Sequence, residues 1–453
     1  MSKIVLISCN TTEEPYPVYP LGMSLVANAA RELGHDVAQL DLYVEENPEN
    51  ILKTIKNISP FVIGLSLRNV DNVNISSKES YINQYKTFVQ EIRKISSAYI
   101  VLGGSAYTIF PEKLLEETGA DYGIKGEGEN VFCELVSSLE KGEKIPENIL
   151  NNDKPEKDFG SFKRDRTLAD FYLKKGGMLN IQTKRGCPHK CLYCSYPTLE
   201  GRRYRFRAPE SVADEIEYLI KEYNADWLSI TDSVFNDASG KYLEIAEEII
   251  RKNIKIPWMC FLRPDNFTEE QVDILKRAGL TSVEWGTDCS TDTTLKAMQK
   301  DFTWDKVVHS NNLFSSSGIA SSHFIIFGGP DETEETAQEG LGNISTLNNC
   351  VVFSSIGIRV LPNTPVCSYL VKNNLIDKEQ ELLNPYFYIS PDIEYNKLDT
   401  MIKDSFKDRT DRIYNGDENT DYVERAKAFH LFGYRGPVWD YILKKGKNMR
   451  KRK

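Results

Sequence analysis

The sequence predicts an α/β protein: a doubly wound, Rossmann-like parallel-sheet domain, then a partial (β/α)6 TIM-type barrel, then a mainly helical C-terminal extension. Three observations predict it. Short apolar runs alternate with amphipathic segments five times before residue 145, and the alternation resumes at Met178 and repeats six times by Leu361. Repeated strand–helix units layer into parallel sheets because right-handed crossovers place the helices over the sheet faces. The length of 453 residues fits two domains and an appendage. The expected divisions are 1–145, a linker at 146–176, a barrel at 177–367 and an extension at 368–453.

In the first domain the strands are expected at 4–8, 37–42, 61–67, 99–102 and 121–124. The helices between and after them are expected at 21–33, 51–58, 81–95, 111–117 and 130–139, where apolar positions recur at helical spacing. Ligands of such sheets sit at the carboxyl ends of the strands. Those ends carry Thr11 and the later Leu21-Gly22, then Ser66, Arg68, Asn69 and Asp71, then Gly103-Gly104, then Gly126-Glu127-Gly128. Glycines on a shared edge let backbone approach a large ligand closely. The G-x-G-x-x-G dinucleotide fingerprint is absent, which disfavours a nicotinamide cofactor.

Residues 146–176 are polar and charged and read as a linker draped over both domains. The barrel strands are expected at 178–183, 227–231, 258–262, 282–286, 322–327 and 355–361, with helices at 212–223, 242–252, 269–278, 292–298 with 304–316, and 333–348. Six repeats are too few for a closed eightfold barrel. The extension carries an aromatic cluster at Tyr386-Phe387-Tyr388 and a helix expected at 422–431; aromatic stripes of this kind usually pack as core, with a substrate-covering role as the alternative.

Net charge is −10, from 56 basic and 66 acidic residues, which argues against a general nucleic-acid footprint. The basic tail from Lys444 to Lys453 reads as a solvated terminus. No apolar run reaches membrane-spanning length, and the N-terminus lacks signal-peptide features, so a cytoplasmic protein is expected. Nine cysteines, an odd number, fit a reducing compartment better than a disulfide framework.

Three of those cysteines are clustered. The stretch Arg185-Gly186-Cys187-Pro188-His189-Lys190-Cys191-Leu192-Tyr193-Cys194 has C-x3-C-x2-C spacing. Three thiolates on one tight loop can hold three irons of a [4Fe-4S] cube and leave the fourth iron open. Zinc is the alternative, but it normally takes four ligands, and His189 lies inside the loop where reaching the same ion would be strained.

This loop, following the first strand of a six-repeat barrel, resembles the cluster motif of the radical S-adenosylmethionine enzymes over residues 178–365. The resemblance implies that Cys187, Cys191 and Cys194 are the metal ligands and catalytic centre, with S-adenosylmethionine on the open iron. It implies S-adenosylmethionine contacts at Tyr193, Thr231, Asp232, Arg263, Glu284, Gly328, Gly329 and Arg359. The domain ahead of this core resembles that of the cobalamin-binding members, so the glycine-bearing edge, from Thr11 to Gly128, implies cobalamin contacts. The D-x-H-x-x-G motif of typical cobalamin domains is absent, as is common in this group. Methylthiotransferases are set aside because the N-terminal domain has only Cys9 and Cys133.

The resemblance implies a methyltransferase acting on an unactivated carbon through a 5'-deoxyadenosyl radical and methylcobalamin. An external electron donor such as flavodoxin or ferredoxin and a small-molecule, lipid or peptide substrate follow from it. The alternatives are a cobalamin-dependent rearrangement, ring contraction or cyclisation, or a sensor without turnover.

Overall fold

The computed structural model describes residues 1–13, 16–152, 159–160, 163–414 and 428–443. The first sheet contains β1 (Lys3–Ser8), β2 (Asp36–Asp41), β3 (Val62–Ser66), β4 (Tyr99–Gly103), β5 (Tyr122–Lys125) and β6 (Ile149–Asn151). All are parallel, in the order β2-β1-β3-β4-β5-β6. The order reverses between β1 and β3, so a crevice opens at their carboxyl ends. The strand β6 and a helix at Arg166–Gly176 fall in the segment expected to be a linker. A three-residue strand has no readable period, which is why Ile149–Asn151 escaped the sequence pattern.

The second domain begins with β7 (Leu179–Ile181), then a two-residue hairpin, β8 (Lys184–Arg185) with β9 (Arg205–Phe206), which brackets the cysteine loop. The barrel continues through β10 (Leu228–Ile230), β11 (Trp258–Leu262), β12 (Leu280–Asp288), β13 (Ala320–Phe327) and β14 (Cys350–Ile356). A second short hairpin pairs β15 (Ile358–Arg359) with β16 (Phe387–Tyr388). The extension then adds β17 (Arg412–Tyr414) beside β14, so the parallel order is β7-β10-β11-β12-β13-β14-β17. The barrel is open between β7 and β17.

The last expected barrel strand, 355–361, is displaced. Gly357 at φ +84° ends the parallel strand, and the chain reverses into the antiparallel hairpin. The helix expected at 422–431 falls partly, and the basic tail wholly, outside the described residues; residues 428–431 are helical.

Alternation along β1 ties the domains together. Val5 and Ile7 face a core that also holds Ile325, Phe327 and Val352 of the barrel, whereas Ile4 and Leu6 face one that holds Leu179, Ile181 and Leu228. Two continuous apolar cores thus cross from sheet to barrel and fix one against the other.

The C-terminal segment closes the barrel's lower end. Gly436 N–H donates to Gly177 O at 3.1 Å, and Trp439, fully buried beside Val351 and Phe353, donates from Nε1 to Glu284 Oε1 at 3.0 Å. Tyr16, from the loop after β1, donates its hydroxyl to Glu284 Oε2 at 3.4 Å. Burial pushes the Glu284 carboxyl up to about 7. Because the folded group holds its proton more tightly than the unfolded one, its stabilising contribution is complete below about pH 4.5 and is lost as pH rises through about 7. Glu284→Gln is therefore expected to gain stability over the native chain, up to roughly 3 kcal/mol, between pH 5 and pH 8. Urea titrations at the two pH values check this.

Candidate active site

A cavity of about 560 Å³ lies between the carboxyl edge of the first sheet and the barrel mouth. Every residue expected to touch cobalamin except Thr11 lines it: Leu21, Gly22, Ser66, Arg68, Asn69, Asp71, Gly103, Gly104, Gly126, Glu127 and Gly128. The barrel contributes Gln182, Arg185, Ser195, Tyr196, Glu200, Thr231, Arg359 and Leu361 to the opposite wall. The cavity is lined by both domains and belongs to neither alone.

The residues fit a large planar cofactor. A Cβ built on Gly22, Gly103 or Gly126 meets no atom within 4 Å, so the backbone there faces open space. Gly104 does something different: at φ +94° its Cβ would stand 2.5 Å from Leu67 O, so glycine is needed for the turn itself. Arg68 presents an exposed side chain to the cavity, and none of the five histidines lines it. The chain therefore offers a cobalt ion no imidazole. Gly103→Val is expected to leave the fold intact, because its backbone is extended strand and its side is open, while filling the cradle. Cobalamin affinity should fall more than about tenfold, roughly 1.4 kcal/mol, in equilibrium dialysis.

The cysteine loop is held from every side. Asp232, at the end of β10, accepts from Thr183 N–H at 2.7 Å, Thr183 Oγ1 at 2.5 Å and Lys184 N–H at 3.2 Å. Glu200 accepts from Gly186 N–H at 3.0 Å, and Ser233 Oγ donates to Gly186 O at 3.2 Å. Beyond the turn, Cys187 N–H donates to Gly201 O, Leu192 N–H to Met298 O, and Val366 N–H to Leu192 O. Gly186 adopts φ +90°, and a side chain there would collide with the Arg203 carbonyl.

All three loop cysteines are free of disulfides; Cys187 is buried and Cys191 and Cys194 are half-buried. Burial pushes the Cys194 thiol up to about 12, and it raises Cys187 as well. Cations offset this for a bound anionic cluster: Lys300 and Arg263 both interact electrostatically with Cys191. Lys300 pairs with Asp288, which also accepts from Tyr193 OH at 2.7 Å, and the ammonium lies 5.4 Å from the Tyr193 ring centroid. Three free thiols on one loop, beside buried Lys300 and half-buried Arg263, match the donor set and charge of a [4Fe-4S] cluster. Among the described residues no three acidic, histidine or cysteine side chains converge on one metal ion.

The remaining residues expected at S-adenosylmethionine are placed as follows. Thr231 lines the cavity, with its N–H and Oγ1 both donating to Ile181 O. Arg263 pairs with Asp301 and stacks 5.0 Å over Phe302. Gly328 donates its N–H to Glu332 Oε2 and packs near Ile389, and Gly329 packs near Met298. Three of these residues have other partners. Asp232 spends its carboxylate on Thr183 and Lys184, which lead into the cysteine loop, as a positioning residue would. Glu284 lies in mid-strand, because β12 runs on to Asp288, and both its oxygens are engaged by Trp439 and Tyr16. Arg359 faces the cobalamin side, where Nε donates to Asp71 Oδ2 at 2.8 Å and Nη2 to Leu382 O.

Glu127 also differs from the expectation of a bare cofactor contact. It pairs with Arg205 and lies 3.0 Å from Arg185 Nη1, without the alignment of a hydrogen bond, while Arg185 Nη2 donates to Glu129 Oε1 at 2.7 Å. Arg185 Nε donates to Gln182 Oε1. This buried clamp joins the last glycine loop of the first domain to the residue two before Cys187. Nothing in the sequence marks it, since its partners are 56 to 78 positions apart.

A chamber walled on one side by a doubly wound sheet and on the other by the residues that flank a three-cysteine loop defines a class of two-cofactor enzyme. The B12 binding domain family model matches residues 7–136, and the radical SAM superfamily model matches residues 181–341. The chain thus carries a B12 binding domain followed by a radical S-adenosylmethionine domain, the pairing of the cobalamin-binding radical S-adenosylmethionine enzymes. It is similar to the tryptophan 2-C-methyltransferase of Streptomyces laurentii, 23% identical over 79% of this chain and 73% of that one. It is also similar to an uncharacterized methyltransferase of Pyrococcus horikoshii, 26% identical over 79% of each chain. Among solved structures, the radical S-adenosylmethionine methyltransferase TsrM of Kitasatospora setae superposes with a TM-score of 0.87 at 22% identity, over 99% of both chains. That likeness shows the fold.

Proposed function

We propose that this chain is a cobalamin-dependent radical S-adenosylmethionine methyltransferase that places a methyl group on an unactivated carbon of a small molecule. The observation that carries it is the single chamber, which sets the cobalamin edge opposite Arg185, Ser195 and Tyr196, the residues that flank the three cysteines on either side. When bound, the cluster and cobalamin supply electron delivery to S-adenosylmethionine and methyl-group carriage.

The chain's own residues do the placing. Cys187, Cys191 and Cys194 would hold the cluster; Asp232, Glu200 and Ser233 fix the loop that bears them. Gly22, Gly103 and Gly126 leave room for the corrin plane. Arg359 and Asp71, an ion pair whose partners are both nearly solvent-free at 3% and 1% exposure, close the chamber between strand ends of the two domains. Closure matters because reactive intermediates are quenched by water. The barrel mouth and the apolar residues Leu361 and Val70 bound the space left for a substrate.

The proposal includes an external one-electron carrier of the flavodoxin or ferredoxin type, because among the described residues no group of histidine, cysteine or acidic side chains forms a metal centre that could relay an electron. It also includes a cytoplasmic setting, supported by nine unpaired cysteines; among the described residues no helix is long and apolar enough to cross a membrane. Mass spectrometry of the anaerobic, reduced enzyme with S-adenosylmethionine tests the reaction class. The methyltransferase reading requires S-adenosylhomocysteine; 5'-deoxyadenosine alone would indicate a non-methylating reaction.

A further inference from the structure

The segment Arg202-Arg203-Tyr204-Arg205-Phe206-Arg207 puts four guanidinium groups into six residues beside the cysteine loop. The fold divides them into two pairs with opposite fates. Arg205 turns inward to Glu127, and Arg207, nearly solvent-free, donates to Glu215 Oε2 at 2.6 Å. Arg202 and Arg203 are exposed, and neither forms an ion pair among the described residues. Neither lines the cobalamin cavity.

These two arginines lie against the start of the cysteine loop. The Cys187 N–H donates to Gly201 O, and Gly186 lies against the Arg203 carbonyl. Within the loop, Pro188 and Lys190 are exposed, and Lys190 likewise has no acidic partner among the described residues. The result is a set of three exposed, unneutralised cations on and beside the loop that bears the thiols. The chain as a whole carries −10, so this patch is a local reversal of sign.

We infer that Lys190, Arg202 and Arg203 form the docking surface for an acidic one-electron carrier protein; this rests on the proposed need for such a carrier. Three arguments select that partner. An acidic protein is repelled by most of a chain of net charge −10 and attracted at this patch, which orients the encounter before contact. None of the three lines the cavity, so a carrier seated on them does not obstruct the chamber. Electron transfer also falls steeply with distance, and the Gly201 carbonyl just before Arg202 accepts directly from the Cys187 N–H. In the step, the carrier gives up one electron, and the cluster, taken from the 2+ to the 1+ state, accepts it.

The test uses the cluster-loaded full-length enzyme and reduced flavodoxin, with cluster reduction followed by stopped-flow absorbance at several ionic strengths. The triple variant K190E/R202E/R203E is expected to lower the second-order rate constant more than about tenfold and to abolish its decline with added salt. Dithionite should reduce the variant and native clusters to the same extent, which separates docking from damage to the loop. Equal flavodoxin rates in native and variant enzyme would overturn the docking surface and leave the carrier reading standing. Failure of flavodoxin and ferredoxin to reduce even the native cluster, with dithionite succeeding, would overturn the carrier reading and the docking surface with it.

Discussion

Replacing Arg185 with methionine is expected to destabilise the chain by about 3–5 kcal/mol and to loosen both cofactor sites together. Arg185 is 6% exposed, and its partners Glu127 and Glu129 are 10% and 11% exposed, so removing the guanidinium strands the Glu129 carboxylate away from water and weakens the pairing of Glu127. Arg205 still neutralises Glu127, but among the described residues no other cation pairs with Glu129. The methionine also leaves the ring of Phe159, which the guanidinium covers at 4.5 Å. Chemical denaturation gives the stability loss, and cobalamin retention on a sizing column gives the coupled effect. Arg185→Lys keeps charge without the fork that reaches both acids and Gln182, so it should fall between the two. A variant that loses stability yet keeps cobalamin and cluster at native levels would show that the clamp serves the fold alone.

Cys191→Ala is expected to remove the cluster and reduce S-adenosylmethionine cleavage to background while the chain stays folded. Cys191 is half-buried and supports little packing, and two thiolates no longer match the three-iron requirement of the loop. Iron analysis and the far-ultraviolet dichroism spectrum report the two halves of this outcome. Cys260→Ala is the matched control: Cys260, on β11, is fully buried in the core, so its loss should cost stability and leave iron content unchanged. Unchanged cleavage in the Cys191 variant would sink the enzyme reading.

Much of this architecture was legible because long runs carry strong periods. The strands from Ile4 to Ile124 and the glycines after them placed the cobalamin edge, and the C-x3-C-x2-C loop placed the cluster. What was not legible shares a physical cause. The strands β6 and β17 have three residues each, too few to show alternation, and are held by their neighbours in the sheet. The apolar run Ser355 to Leu361 hides the break at Gly357, where the chain leaves the barrel. Asp232, Glu284 and Glu127 were read by their position at strand ends, yet a carboxylate is assigned by its partners, and those lie on distant segments: Thr183 and Lys184, Trp439 and Tyr16, Arg185 and Arg205. Pairing across such separations leaves no mark on spacing.

Pulsed electron paramagnetic resonance on the fully loaded enzyme, reduced until cluster and cobalt are both paramagnetic, tests the shared chamber most directly. If the cysteine loop and the glycine edge face one cavity, the two spins must couple, and the coupling must disappear in Cys191→Ala. Two uncoupled spectra from an enzyme that carries both cofactors would contradict the account.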